Sequence, residues 1–260
     1  MNNQSYLVLS LVLLLGVQVS AQMFDEVIEY DINGTTAEGR FVFDPISDTP
    51  AMGVIIFHQW GGAGDYELAR ARMLASLGYA VFVADMYGQG VRPETMEARR
   101  EATSSFYADR ALTRQRAAAA LDILRARDEV DPGRITVMGY CFGGMVALEL
   151  ARAGADIAGA VSIHGNLHTP EPGDAESIAA RILVQHGAVD PLVPEEEVHA
   201  FHEEMAAADV VYTFIAYEDA VHSFTDWNAG DDPSRGAAYN VDADKRSWED
   251  LLKFFSELRQ

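Results

Sequence analysis

The stretch Arg134–Gly154, RITVMGYCFGGMVALELARAG, sets the reading of the whole chain. Its first half is β-branched and apolar, as a buried strand requires, and its second half is rich in Ala and Leu, as a helix requires. The junction is Gly139-Tyr140-Cys141-Phe142-Gly143, a G-x-C-x-G sequence, and Cys141 is the single cysteine among 260 residues. A sharp strand-to-helix turn forces its central residue into an unusual backbone conformation and crowds the positions two before and two after it. Glycine relieves that crowding. The central side chain then stands above the sheet at a helix N-terminus, which favours a negative charge such as a thiolate. Cysteine is also among the most buried residue types, so the motif alone is a modest signal.

The flanking sequence alternates strands and helices. An antiparallel pair is expected at Glu26–Asp31 and Arg40–Asp44, then buried strands at Met52–Gln59 and Tyr79–Met86 with a helix at Tyr66–Leu77 between them. A helical region from Glu94 to about Arg127, broken near Tyr107–Asp109, leads into the strand and helix around Cys141. Further strands are expected at Ile157–His164, Arg181–His186 and Val211–Tyr217, with helices at Pro194–Ala208 and Ala243–Leu258. This order implies an α/β fold: a mostly parallel central sheet with helices on both faces.

An apolar run from Tyr6 to Val19 ends in Val19-Ser20-Ala21, a small-residue cleavage pattern. Residues 1–21 therefore read as a signal peptide directing a secreted or periplasmic protein, and residues 22–260 as one domain. No Lys or Arg precedes the run, which keeps a retained membrane anchor as the alternative; after cleavage no stable membrane association is expected. The formal charge of −21 argues against nucleic acid as a partner. One cysteine allows no internal disulfide, so the core must supply the stability.

Active sites of open α/β sheets collect at the carboxyl ends of the strands. Two segments present chemistry there. VQHGAVDPLVP closes a strand and offers Asp190, and YEDAVHSF closes the next and offers His222. The order Cys141, Asp190, His222 is the one an α/β-hydrolase triad requires, although Asp190 alone reads as a turn residue and His222 alone as a loop histidine. His199 and His202 lie one helical turn apart and could suggest zinc, but no third ligand has matching spacing. They read as a solvated helix face, His58 and His186 as structural groups, and His164 and His168 carry no pattern. No metal or cofactor is expected.

With these residues in place the chain resembles the dienelactone hydrolase family of α/β-hydrolases, whose triad is Cys-Asp-His. The likeness runs from about residue 24 to the C-terminus and rests on GYCFGG, HGAVDPLVP and DAVHSF, with LASLGYAVFVADMYG and DADKRSWEDLLKFF in support. It implies that Cys141 is the nucleophile, His222 the base and Asp190 its orienting acid. The backbone N–H groups of Trp60 and Phe142 would form the oxyanion hole. The family generally carries Glu where this chain has Gln59, and that carboxylate helps to activate the thiol. Arginines that bind a substrate carboxylate in dienelactone-cleaving members correspond here to Gln89 and Asp226, with Arg92 nearby. Gln59, Tyr87, Gln89, Arg92 and Tyr140 are the candidate substrate-binding residues, and a neutral ester or lactone is the expected substrate of a monomer or small homo-oligomer. The rival readings are a non-catalytic protein or a thiol redox sensor on the same fold.

Overall fold

A computed structural model describes residues 23–46 and 50–259; the expected signal peptide falls outside them. Eight strands form one sheet in the order β1-β2-β4-β3-β5-β6-β7-β8. Strands β1 (Phe24–Asp31) and β2 (Thr36–Phe43) pair antiparallel, and β2 pairs antiparallel with β4 (Ala80–Ala84). From β4 onward every pairing is parallel, through β3 (Ala51–Phe57), β5 (Val130–Tyr140), β6 (Gly159–Ile163), β7 (Arg181–Gly187) and β8 (Tyr212–Tyr217). This is the α/β-hydrolase arrangement expected from the alternation of elements.

All seven residues of β3 are buried, because helices cover both faces of the sheet there. Ile55 and Phe57 face a core shared with α3 (Arg110–Arg125), α4 (Phe142–Arg152) and α5 (Glu195–Ala207). Val54 and Ile56 face the opposite core, built with α1 (Asp65–Ala75) and α6 (Val241–Leu258). The period-two alternation of a strand thus feeds two cores at once.

The expected break in the long helical region falls at Asp109. Its carboxylate accepts from the Leu112 N–H at 3.0 Å, capping α3, while its own N–H closes α2 (Met96–Ala108). Some boundaries differ. Strand β5 begins at Val130, four residues before the β-branched run, because Val130 and Asp131 continue the parallel pairing with Ala51 and Met52. Between β6 and β7, Pro172–Ser177 winds into a 3₁₀ turn with proline at its start.

Helix α4 is buried along its whole length, including two charged residues. Arg152 makes a two-pronged contact with Glu204 of α5, 2.7 Å on each side, and a 3.0 Å bond to Glu149. Glu149 also takes two bonds from Arg114 of α3, at 2.9 and 2.7 Å. Such a network adds little over apolar packing, but losing one partner strands a buried charge. Glu204→Ala should therefore lower the unfolding free energy by about 3 kcal/mol or more, read as a shift in the midpoint of chemical denaturation.

Candidate active site

Cys141 occupies the first step of α4 with φ 55° and ψ −116°, a conformation that a side chain adopts only under constraint. Two neighbours can be nothing but glycine. A Cβ on Gly139 would lie 2.0 Å from the Gly143 carbonyl oxygen, and one on Gly143 would lie 2.1 Å from that of Phe57. The motif in the sequence is thus a steric necessity of this turn. The strained Cys141 N–H is held by two acceptors, the Ile163 carbonyl at 3.0 Å and His164 Nδ1 at 3.1 Å.

Asp190 lies in the turn after β7. One carboxylate oxygen accepts from the Leu192 N–H at 2.8 Å and shapes the turn, and the other meets His222 Nδ1 at 2.8 Å. The turn is tied to the histidine loop by the Val189 N–H to Ala220 carbonyl bond at 3.1 Å. Both side chains are almost wholly buried. Burial alone would depress the His222 pKa. The charge of Cys141 and hydrogen bonds with Asp190 and Cys141 outweigh it and push the value up to about 10.

The loop after β3 is pinned at nearly every polar group. His58 Nε2 accepts from the Met86 N–H at 3.1 Å, which leaves the proton on Nδ1 to bond the Gln59 carbonyl at 2.5 Å. That carbonyl also accepts from the Gly62 N–H at 3.1 Å. The Trp60 carbonyl accepts from the Tyr87 hydroxyl at 3.0 Å. Glu67 takes the N–H groups of Gln59 and Gly64, each at 3.0 Å, one on each carboxylate oxygen. Burial raises the Glu67 carboxyl to about 7 against the opposing pull of those amides. The Trp60 N–H, beside the cleft, finds no acceptor among the described residues. The Phe142 N–H, as first residue of α4, has no helical partner either.

Above these groups opens a cleft of about 1120 Å³. Cys141, His222, Trp60, Gln59 and Asp226 line it, and α2 forms a wall through Arg99 and Tyr107. Of the five candidate substrate-binding residues, only Gln59 lies on the cleft. Its amide donates to Asp226 Oδ2 at 3.0 Å, so these two residues form a pair. The other four assignments are corrected by their surroundings. Tyr140 points to the opposite face of the sheet, where its ring packs against Tyr66, His164 and the Arg70 guanidinium. Tyr87 is committed to the Trp60 carbonyl. Gln89 bonds Glu29 and Glu38 on the β1–β2 side, and Arg92 folds onto the Val91 carbonyl near Asp85.

Three contributors escape a reading of motifs. Glu67 is foreshadowed by Gly64-Asp65-Tyr66-Glu67, a capping-box spacing. Tyr107, in the last turn of α2, bonds Asn166 across the cleft at 2.9 Å. His164 closes β6 at the same sheet edge as Cys141 and is identifiable only once strand order is known. His199 and His202 lie away from the cleft: His199 is exposed 3.5 Å from Glu203, whereas His202, expected on a solvated face, instead meets the Tyr212 hydroxyl of β8 at 2.9 Å and packs against Phe214.

Comparison with known proteins agrees with this architecture. Residues 40–259 match the dienelactone hydrolase family. The solved structure of the dienelactone hydrolase-like promiscuous phosphotriesterase P91, from metagenomic libraries, is 39% identical with a TM-score of 0.86, covering 91% of this chain and 98% of that one. Protein K02A2.1 of Caenorhabditis elegans is 40% identical over 142 residues, 54% of this chain and 89% of its own. An Escherichia coli O157:H7 protein described provisionally as a carboxymethylenebutenolidase is 27% identical over 222 residues, 81% of this chain and 79% of its own. The chain belongs to the dienelactone hydrolase family and is a hydrolase of carboxylic esters or lactones.

Proposed function

We propose that the chain cleaves small neutral esters or lactones through a thioacyl intermediate on Cys141, with His222 and Asp190 completing the triad. The observation that carries this reading is the 2.8 Å bond between His222 Nδ1 and Asp190, made at the foot of the strained cysteine turn. Asp190 fixes the ring so that Nε2 is left for the thiol.

The raised His222 pKa supports activation of the thiol by the histidine, without a family carboxylate at Gln59. The Cys141 proton passes to His222, and the sulfur attacks as a thiolate paired with the imidazolium. Sulfur attacks the ester carbonyl carbon, and the oxyanion is received by the Trp60 and Phe142 N–H groups. The C–O bond then breaks, and the leaving alkoxide takes the proton from His222 Nε2. Neutral His222 next draws a proton from water as the hydroxyl adds to the thioester carbonyl. Cleavage of the C–S bond releases the acid and restores thiolate and imidazolium.

Substrate charge follows from the Gln59–Asp226 pair. Asp226 has no cationic partner among the described residues, so its carboxylate disfavours an anionic acyl group. P91 is described as a promiscuous phosphotriesterase, which extends the candidate substrates to neutral phosphotriesters.

A panel of short-chain activated esters should be turned over by the native enzyme, and Cys141→Ala and His222→Ala should each lose a thousand-fold or more of kcat, on the order seen when a triad member is removed. Phosphotriester turnover should vanish with the same substitutions. A Cys141→Ala protein as active as the native one excludes the mechanism; a labelled thiol without turnover points to a redox or binding role. With an alkyl ester, whose leaving group needs a proton, kcat should stay level through neutral pH and fall as pH rises through about 10, the His222 value. Asp190→Asn removes one of the influences that raise it and should move this limb at least a unit toward acid. Asp226→Asn should raise kcat/KM for a carboxylate-bearing lactone about ten-fold relative to a neutral one.

A further inference from the structure

His164 is wholly buried, stands at φ 40° without being glycine, and belongs to no triad position. Its Nδ1 accepts from the Cys141 N–H at 3.1 Å, which leaves the proton on Nε2 to bond Thr225 Oγ1 at 2.9 Å. The Thr225 hydroxyl continues to the Tyr66 hydroxyl at 2.7 Å, and the Thr225 carbonyl is gripped by Arg70 at 2.8 Å. Thr225 lies in the loop that carries His222 and Asp226, and the His164 and His222 rings meet edge to face at 5.2 Å. Burial and the neighbouring His222 charge hold the His164 pKa well below the ordinary histidine value, so the ring stays neutral beside a cationic one.

We infer that His164 is a positioning residue for ester cleavage: one neutral imidazole joins the strained amide of the nucleophile to the loop that bears the base. Both of its nitrogens are used, each in a fixed donor or acceptor role, so the two halves of the reacting pair are set against one another by a single rigid ring. The inference rests on the proposed role of Cys141. It gives a role to a residue whose backbone stands at φ 40° while its ring holds both partners.

The test is a double-mutant cycle between His164→Phe and Thr225→Val, with His164→Asn and Tyr66→Phe beside it. For each, kcat, KM and the rate of Cys141 alkylation by iodoacetamide are measured on folded protein. Thr225→Val should lower kcat about ten-fold and His164→Phe about a hundred-fold, with KM within two-fold, as misplacement of reacting groups demands. The double variant should be no worse than His164→Phe, since both break one link. His164→Asn, whose Oδ1 stands where Nδ1 stood, should recover part of the loss and of the alkylation rate, and Tyr66→Phe, which leaves the His164 link intact, should stay near native. Native kcat and alkylation in Thr225→Val, multiplying effects in the cycle, or a Tyr66→Phe loss equal to that of Thr225→Val would each overturn the inference. If His164→Phe does not fold, Thr225→Val and His164→Asn decide it on the same criteria. Cys141→Ala separates the two levels: full activity there removes the nucleophile assignment, whereas activity lost there but intact in Thr225→Val removes only the role of His164.

Discussion

The backbone of Cys141 is the constraint on which the site depends. A residue at φ 55° and ψ −116° holds its place only if its surroundings leave it no alternative. Those surroundings come from both directions along the chain. Gly139 lets β5 meet α4, and Gly143 lets α4 meet β3, within distances that exclude any Cβ, while the carbonyl of Ile163 in β6 and the ring of His164 just beyond it fix the strained N–H. The buried Arg152–Glu149–Glu204 network holds the far end of α4. Rigidity of the helix is thereby transmitted to the position of one sulfur atom.

Charge is arranged with equal economy. The base is buried, yet its pKa is raised, because the partners that favour the imidazolium outweigh the loss of water. In the proposed mechanism a carboxylate beside the thiol is then unnecessary, and the position that would hold it is free for Gln59. The Gln59 amide turns instead to Asp226, and the pair gives this wall of the cleft a negative character. In the proposed mechanism activation and selection fall to different residues, a separation the family likeness alone does not foretell.

Much of this was legible before any coordinates. Strand–helix alternation, the glycine-flanked cysteine, and acid and base at successive strand ends are local patterns with direct steric or chemical meaning, and each element appears where those patterns place it. The substrate-facing residues were not legible. Tyr87 and Tyr140 lie near the site in sequence, but direction decides their role: Tyr140 belongs to the opposite face of the sheet, and the Tyr87 hydroxyl is spent on the Trp60 carbonyl. Gln89 and Arg92 occupy loop positions that bend away toward β1, β2 and Asp85. His164 shows the converse: nothing in its neighbours hints at a role, because its two partners lie 23 and 61 positions away along the chain.

Helix α2 carries a consequence of its own. It enters the core chiefly through Thr103 and Phe106, the latter against Phe142 and Tyr87, while Met96, Arg99, Arg100, Ser104 and Tyr107 look into the cleft. Tyr107 packs edge-on against the Phe142 ring at 6.0 Å and Arg99 lies 5.6 Å over the Trp60 ring, so these two are tied to the reacting edge. Met96, Arg100 and Ser104, a stripe spaced by four, are the freer facing, and a lineage can change what it accepts by rewriting them while the reacting atoms stay where they are.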